Sequence, residues 1–272
     1  MKKLIITVAV NGEATSKADN PNVPISPEEV VNDVVACCNA GAAIAHIHGR
    51  DEKTGLMAFH PEYYKKILGA IREKCDIITN ISTGGNAEDP MERLKGLEAN
   101  PEMCSLNMGS VNFNNKAFVN PPEIIEKYAT HMYEKGIKYN LECFDIGHID
   151  AGLRIAASGK YMGQPFFDLL MNEPGAIPFN LQTMYYFLNS IPDYAEWNAV
   201  GVGDAQLPFA VHAILLGGHV RVGLEDTLYY NPGELATNVR LVERIVRIAK
   251  ELGREIAAPS EAREMLGLAQ LG

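Results

Sequence analysis

The chain has 272 residues, 47% of them hydrophobic and 21% charged, with a formal net charge of -10. This composition supplies a full buried core and excludes a disordered chain, and the length suits an α/β barrel closed as a single domain over residues 1–272. The acidic balance excludes a surface for nucleic acid or anionic membrane, because the summed field repels phosphate.

Met1-Lys2-Lys3 leads directly into the apolar run Leu4–Val10, the first strand candidate. Ser26-Pro27-Glu28-Glu29 then reads as an N-cap, a proline at the first helical position and acids in the first turn, with Gly41 as the stop. Further strands are expected at Ala43–His48, Asp76–Ser82, Met103–Met108, Lys138–Phe144, Ile177–Leu181, Trp197–Val202 and His219–Leu224, which makes eight, the barrel number. Pro61, Pro90 and Pro121-Pro122 open the helices between them, and Gly136 and Gly218 close others. The segment Gly147–Gly175 is the least regular and suits a lid or a subunit contact. A long helix from about Pro232 to Leu252 carries an apolar stripe at Leu241, Ile245, Ile248 and Leu252, and Ser260–Leu268 adds a short tail helix. The five cysteines are odd in number and lack CxxC spacing, which reads as reduced core thiols. No apolar run approaches the roughly 20 residues of a membrane span, and the expected location is the cytoplasm.

In a barrel the chemistry belongs at the C-terminal strand ends. His46 and His48 lie two apart on the second strand, so both side chains point to one face. Such a pair is half of a zinc site or a packed, hydrogen-bonded couple. On the last strand, period two puts Arg221, Gly223 and Glu225 on one face and leaves Asp226 at the strand end. Strands two and eight both flank strand one in a closed barrel, so Glu225 can reach the two imidazoles as a third ligand, leaving a position open for catalysis. The other reading is a buried Arg-Glu-Asp network with no metal, and two histidines with one carboxylate also suit iron or manganese. Ser82-Thr83-Gly84-Gly85 and Ser105-Leu106-Asn107-Met108-Gly109 place hydroxyls and approachable backbone amides at the third and fourth strand ends, and Glu142 faces inward on the fifth. Gly201-Val202-Gly203 lacks the full dinucleotide-binding fingerprint, which leaves the barrel as the better fit.

Taken together, His46-x-His48, Ser82-Thr83-Gly84-Gly85, Pro101-Glu102-Met103 with Asn107-x-Gly109-x-x-Asn112-Phe113, Glu142 before Gly147, and Gly217-Gly218-His219-x-Arg221-x-Gly223-x-Glu225-Asp226 make the chain resemble the β-keto acid cleavage enzymes nearly end to end. The resemblance implies a homo-oligomeric TIM barrel, commonly a tetramer, with zinc on His46, His48 and Glu225. It implies a catalytic pair of Asp226 and Arg221 supported by Glu142, and a keto acid held by Ser82, Gly85 and Ser105, where a relative carries threonine at the last position. Acetyl-CoA is the implied co-substrate, taking over an acyl exchange that yields acetoacetate and a new acyl-CoA. Aminohexanoate-cleaving members carry a glutamate aligned with Ala14, whereas here the acid is Glu13. Many relatives carry an arginine where this chain has Asp204. Glu13 and Asp204 therefore point to a keto acid with a cationic or neutral R group, unless both simply face solvent. The rival readings are a metal-dependent amide hydrolase, an aldol lyase acting on acyl-CoA, and an inert metal-binding barrel.

Overall fold

The computed structural model describes residues 1–85, 87–113 and 116–270. Eight parallel strands close a barrel in the order β1 (Ile6–Ala9), β10 (His219–Val222), β9 (Glu196–Gly201), β8 (Phe166–Met171), β7 (Lys138–Cys143), β4 (Met103–Asn107), β3 (Ile78–Ile81) and β2 (Ile44–Ile47). Two antiparallel hairpins decorate it, β5 (Val111–Phe113) with β6 (Lys116–Phe118) and β11 (Tyr229–Asn231) with β12 (Glu234–Leu235). The helices are α1 (Pro27–Ala40), α2 (Pro61–Lys74), α3 (Pro122–Glu134), α4 (Ile146–Ala157), α5 (Leu181–Leu188), α6 (Gln206–Leu216), α7 (Asn238–Glu251) and α8 (Pro259–Leu266), and a 3₁₀ helix over Pro90–Ala99 stands between β3 and β4. None is long and apolar enough to cross a membrane.

Local chemistry sets these boundaries. Ser26 Oγ accepts from Glu29 N while the Glu29 carboxylate accepts from Ser26 N, a reciprocal cap that starts α1, and Gly41 ends it in the left-handed region. Outward strand residues such as Val8, Ile47, Leu106, Leu141, Leu169 and Val220 join the helices in the main apolar core. Ile5, Ile44, Ile78, Met103 and Phe166 plug the opposite end against Ala262 and Leu266 of α8. Arg263 holds that helix in place with a 2.6 Å bond to Glu102 and a 2.9 Å bond to Asp76.

Four expectations are corrected. The sixth barrel strand is Phe166–Met171, not Ile177–Leu181. In the latter run Pro178 removes a ladder donor, and Asn180 caps α5 instead, accepting from Thr183 N. The segment expected to be irregular holds both α4 and that strand. The long helix begins at Asn238, because Thr237 caps it and the residues before it form the β11–β12 hairpin; Gly217 rather than Gly218 caps α6.

Asn238 joins β1, β10 and α1: its amide donates to Val10 O and to Asp33 Oδ2 at 2.5 Å, and its Oδ1 accepts from Leu224 N. Burial pushes the Asp33 carboxyl up to about 6, only partly countered by the Asn238 bond. An acid whose folded pKa exceeds its unfolded value near 4 binds more protons folded than unfolded between those values, so stability falls as pH rises through that window. Asp33→Asn keeps the acceptor and removes the buried charge. It is expected to gain on the order of 2 kcal/mol above pH 6 and nothing below pH 4, read as Tm at pH 8 and at pH 4.

Candidate active site

The barrel interior above the apolar plug is polar. His46, Asn80, Ser105, Asn140, Asp168, Asn198 and Arg221 are all buried, each contributed by a different strand. At the C-terminal end above them stand His48, Asn107, Glu142, Glu225 and Asp226.

His46 and His48, at the end of β2, bring their Nε2 atoms to 3.3 Å. Glu225, just past β10, places Oε1 3.1 Å from His48 Nε2 and Oε2 3.6 Å from His46 Nε2. The three residues thus offer lone-pair atoms all within 4.8 Å of one another. Glu225 Oε2 is buried without a hydrogen-bond partner among the described residues. Three acceptor atoms turned on one point repel unless a proton or cation lies between them, and two imidazoles with a carboxylate are a donor set that zinc, iron or manganese accepts. Burial, helped by Arg221 and His48 against the pull of Glu225, lowers the His46 pKa to about 3, which keeps the ring neutral as ligation requires. Burial works against ionised Glu225, but Arg221 and the two imidazoles outweigh it and hold the carboxyl well below its ordinary range.

Arg221 organises the acids. Its Nε and one terminal nitrogen grip Asp226 at 2.9 and 2.8 Å, and the same terminal nitrogen lies 2.5 Å from Glu225. The other terminal nitrogen lies 3.6 Å from Glu142. Burial disfavours the guanidinium charge, yet Asp226, Glu225 and Glu142 together raise its pKa well above normal. Burial pushes Asp226 up to about 6 despite Arg221. It pushes Glu142 to about 8, eased by Arg221 and reinforced by Asp168, Glu225 and Asp226. Glu142 also accepts from Asn107 Nδ2 at 2.8 Å. Gly223 makes this arrangement feasible: at φ 151° its α-carbon lies so near β1 that a Cβ would stand 2.1 Å from Ala9 O.

The expected substrate contacts fall around the same mouth. Ser82 Oγ accepts from Gly84 N at 3.1 Å. Ser105 is fully buried and accepts from Thr83 N at 3.3 Å, holding the glycine turn from behind. Gly85 has φ 105°, and a Cβ there would sit 3.2 Å from Glu13 Oε2 and 3.1 Å from Phe59. Glu13 thus leans over the Gly85 turn, on a loop that Arg50 anchors by donating to Gly12 O and Thr15 O. Asp204, exposed on the turn after β9, accepts from Asn172 Nδ2 at 3.1 Å.

Sequence reasoning missed Asn80, Asn140, Asp168 and Asn198, which line the interior, and Glu173. The last is half-buried just after β8 and close enough to Asp226 and Glu225 that, with burial leading, their charge raises its pKa to about 7. The signal for two of them was period two, since Lys138-x-Asn140-x-Glu142 and Asn80-x-Ser82 alternate like His46-x-His48.

The 3-keto-5-aminohexanoate cleavage enzyme of Fusobacterium nucleatum subsp. nucleatum is 41% identical over 272 residues, covering 98% of this chain and 99% of its own. The 3-oxoadipate:acetyl-CoA acetyltransferase of Cupriavidus necator is 35% identical over 271 residues, covering 97% and 94%. Among solved structures the apo form of ObcA superposes with a TM-score of 0.78 at 20% identity, over 92% of this chain; the chain spans 66% of ObcA, and the likeness is one of fold. The family model for beta-keto acid cleavage enzymes matches residues 3–268. The chain belongs to the beta-keto acid cleavage enzyme family.

Proposed function

We propose that the chain is an acyltransferase that exchanges acyl groups between a β-keto acid and acetyl-CoA, with His46, His48 and Glu225 holding a divalent cation, zinc by first choice. The observation that carries this reading is Arg221. One buried guanidinium fixes both Asp226 and Glu225, so a base and a ligand share one rigid support beside two imidazoles. Acetyl-CoA as the second substrate is supported by the name of the Cupriavidus necator relative. The relatives' names favour acyl exchange over hydrolysis or aldol cleavage.

When bound, the cation would polarise the keto oxygen and carboxylate of the substrate and lower the cost of negative charge at C2. Asp226, oriented by the Arg221 fork, takes the C2 proton. The resulting enolate carbon attacks the thioester carbonyl of acetyl-CoA and expels CoA thiolate. The thiolate adds to the original keto carbon, the bond from that carbon to C2 breaks, and the departing enolate recovers the proton from Asp226 as acetoacetate. The remaining acyl group leaves on CoA, so atoms and charge balance. Glu142, kept protonated near neutral pH, is the hydrogen-bond donor beside the reacting carbons. Ser82 and the amides of the Gly84-Gly85 turn face the carboxylate and the oxyanions. A homotetramer in the cytoplasm is the proposed working form, supported by the exposed Leu181, Tyr185 and Tyr186 of α5, with sedimentation as its check.

The test is a coupled assay for acetoacetate with acetyl-CoA and a panel of β-keto acids on metal-analysed protein. Turnover that needs no acetyl-CoA would sink the exchange reading. The two relatives named above differ in R group, so this chain's own residues must decide it. Glu13, Asp204 and Glu173 make the mouth acidic, which disfavours an anionic R group and suits a cationic or neutral one. Because Glu13 is exposed and screened, Glu13→Gln is expected to lower the ratio of kcat/KM for cationic over neutral keto acids by roughly two- to fivefold. An enzyme that works best on anionic keto acids would overturn this part of the reading.

A further inference from the structure

A continuous chain of hydrogen bonds crosses the barrel interior beneath the proposed cation site. His46 Nδ1 meets Asn80 Oδ1 at 3.0 Å, Asn80 Nδ2 donates to Asn140 Oδ1 at 2.7 Å, and Asn140 Nδ2 donates to Asp168 Oδ2 at 2.6 Å. Asn198 Nδ2 donates to the other Asp168 oxygen at 3.3 Å. Each of these five residues is at most 3% exposed. The strands of Asn80 and Asn140 are not neighbours in the sheet, because β4 lies between them, so their side chains meet across the interior.

The chain has a direction, and chemistry alone fixes it. An ionised carboxylate only accepts, so Asn140 must turn its NH₂ toward Asp168 and its oxygen toward Asn80. Asn80 must then donate to Asn140 and present its oxygen to His46. An oxygen facing Nδ1 selects the ring tautomer with its proton on Nδ1. Burial pushes the Asp168 carboxyl up to about 6, which still leaves it ionised near pH 7.5.

We propose that Asp168 is a positioning residue for the cation site: acting through Asn140 and Asn80, it holds His46 as the Nδ1–H tautomer, with the Nε2 lone pair turned toward His48 and Glu225. The inference rests on the metal reading above and adds to it a residue three hydrogen bonds removed from the ligand. The opposite tautomer would put a proton on Nε2, where no cation can be bound. His48 lacks such a support, since its Nδ1 has no hydrogen-bond partner among the described residues. The advance ordering of the two imidazoles therefore depends on His46.

The experiment reads the histidine tautomers by ¹⁵N NMR in metal-stripped, ¹⁵N-histidine-labelled protein, with His46 assigned by its loss in His46→Gln, and measures zinc affinity by competition with a chelating indicator. The wild type is expected to carry the His46 proton on Nδ1. Asp168→Leu is expected to give mixed tautomers and a zinc affinity lower by roughly 10- to 100-fold. Asp168→Asn should keep the wild-type tautomer, because its Oδ1 still accepts from Asn140 once the Asn198 amide, which now donates to Asp168 through Nδ2, turns over to offer the new NH₂ its Oδ1, an atom with no hydrogen-bond partner among the described residues. Asn140→Leu cuts the chain without altering any charge, and supplies the same readout if Asp168→Leu does not fold. Retention of both the tautomer and the affinity in a folded Asp168→Leu or Asn140→Leu overturns the proposal. Because the tautomer is read without metal, a wild type that binds no divalent cation would sink the metal reading while the tautomer still judges Asp168.

Discussion

Asp226→Asn is expected to lower kcat by roughly 10²- to 10⁴-fold while leaving the divalent cation bound. The substitution is nearly isosteric, and the amide oxygen can still accept from one nitrogen of Arg221, so the Arg221–Glu225 contact at 2.5 Å is preserved. What disappears is the ability to take a proton from C2. The clearest readout therefore omits acetyl-CoA: in D₂O the wild type should exchange the C2 hydrogens of the keto acid for deuterium, and the variant should not. Metal analysis of the same samples separates loss of the base from loss of the ligand set. If exchange proceeds at the wild-type rate, the base lies elsewhere, and Glu142 and Glu173 become the groups to replace, since both are acids raised by burial at the same mouth.

Much of this site was legible in the sequence because its key residues sit on strands with strict alternation. His46 and His48 repeat every second residue, as do Arg221, Gly223 and Glu225, and in a closed barrel both strands flank β1, so their meeting followed from strand order alone. The sixth strand failed for a physical reason. Phe166-Phe167-Asp168-Leu169-Leu170-Met171 is nearly continuous in its apolar character and carries no alternation, while Ile177–Leu181 is a short apolar run whose proline should have counted against it. That error hid Asp168. The asparagines were hidden differently: a lone Asn in a strand reads as a weak strand former, and only the sheet order reveals that Asn80 and Asn140 face each other across the barrel. Glu13 and Asp204 were identified as positions but not as neighbours of anything, because loop placement is set by contacts such as the Arg50 clamp, which no local pattern records.

Arg221→Met is expected to cost the metal-free protein about 3–5 kcal/mol near pH 8, because it leaves carboxylates buried around a vanished cation. Glu225 and Asp226 lie within 2.9 Å of the guanidinium and Glu142 within 3.6 Å. Without it, burial raises all three above their unfolded values near 4. Groups with raised folded pKa values bind protons more tightly folded than unfolded, so the variant should approach wild-type stability as pH falls toward 4 and lose ground as pH rises through the raised values. The wild-type guanidinium stays charged throughout that range, so the divergence belongs to the carboxylates. Arg221→Lys separates charge from shape: an ammonium restores one positive charge but cannot hold Asp226 by two parallel bonds, so it should recover part of the stability and little of the turnover. Zinc added to Arg221→Met should raise its Tm through binding to the folded state, yet leave kcat low, because Asp226 has lost the fork that aims it. Chemical denaturation at pH 5 and pH 8, with and without zinc, reads each of these. Equal stability of Arg221→Met and the wild type at pH 8 would mean that water or protons, rather than Arg221, neutralise the acids, and the shared support for base and ligand would be lost with it.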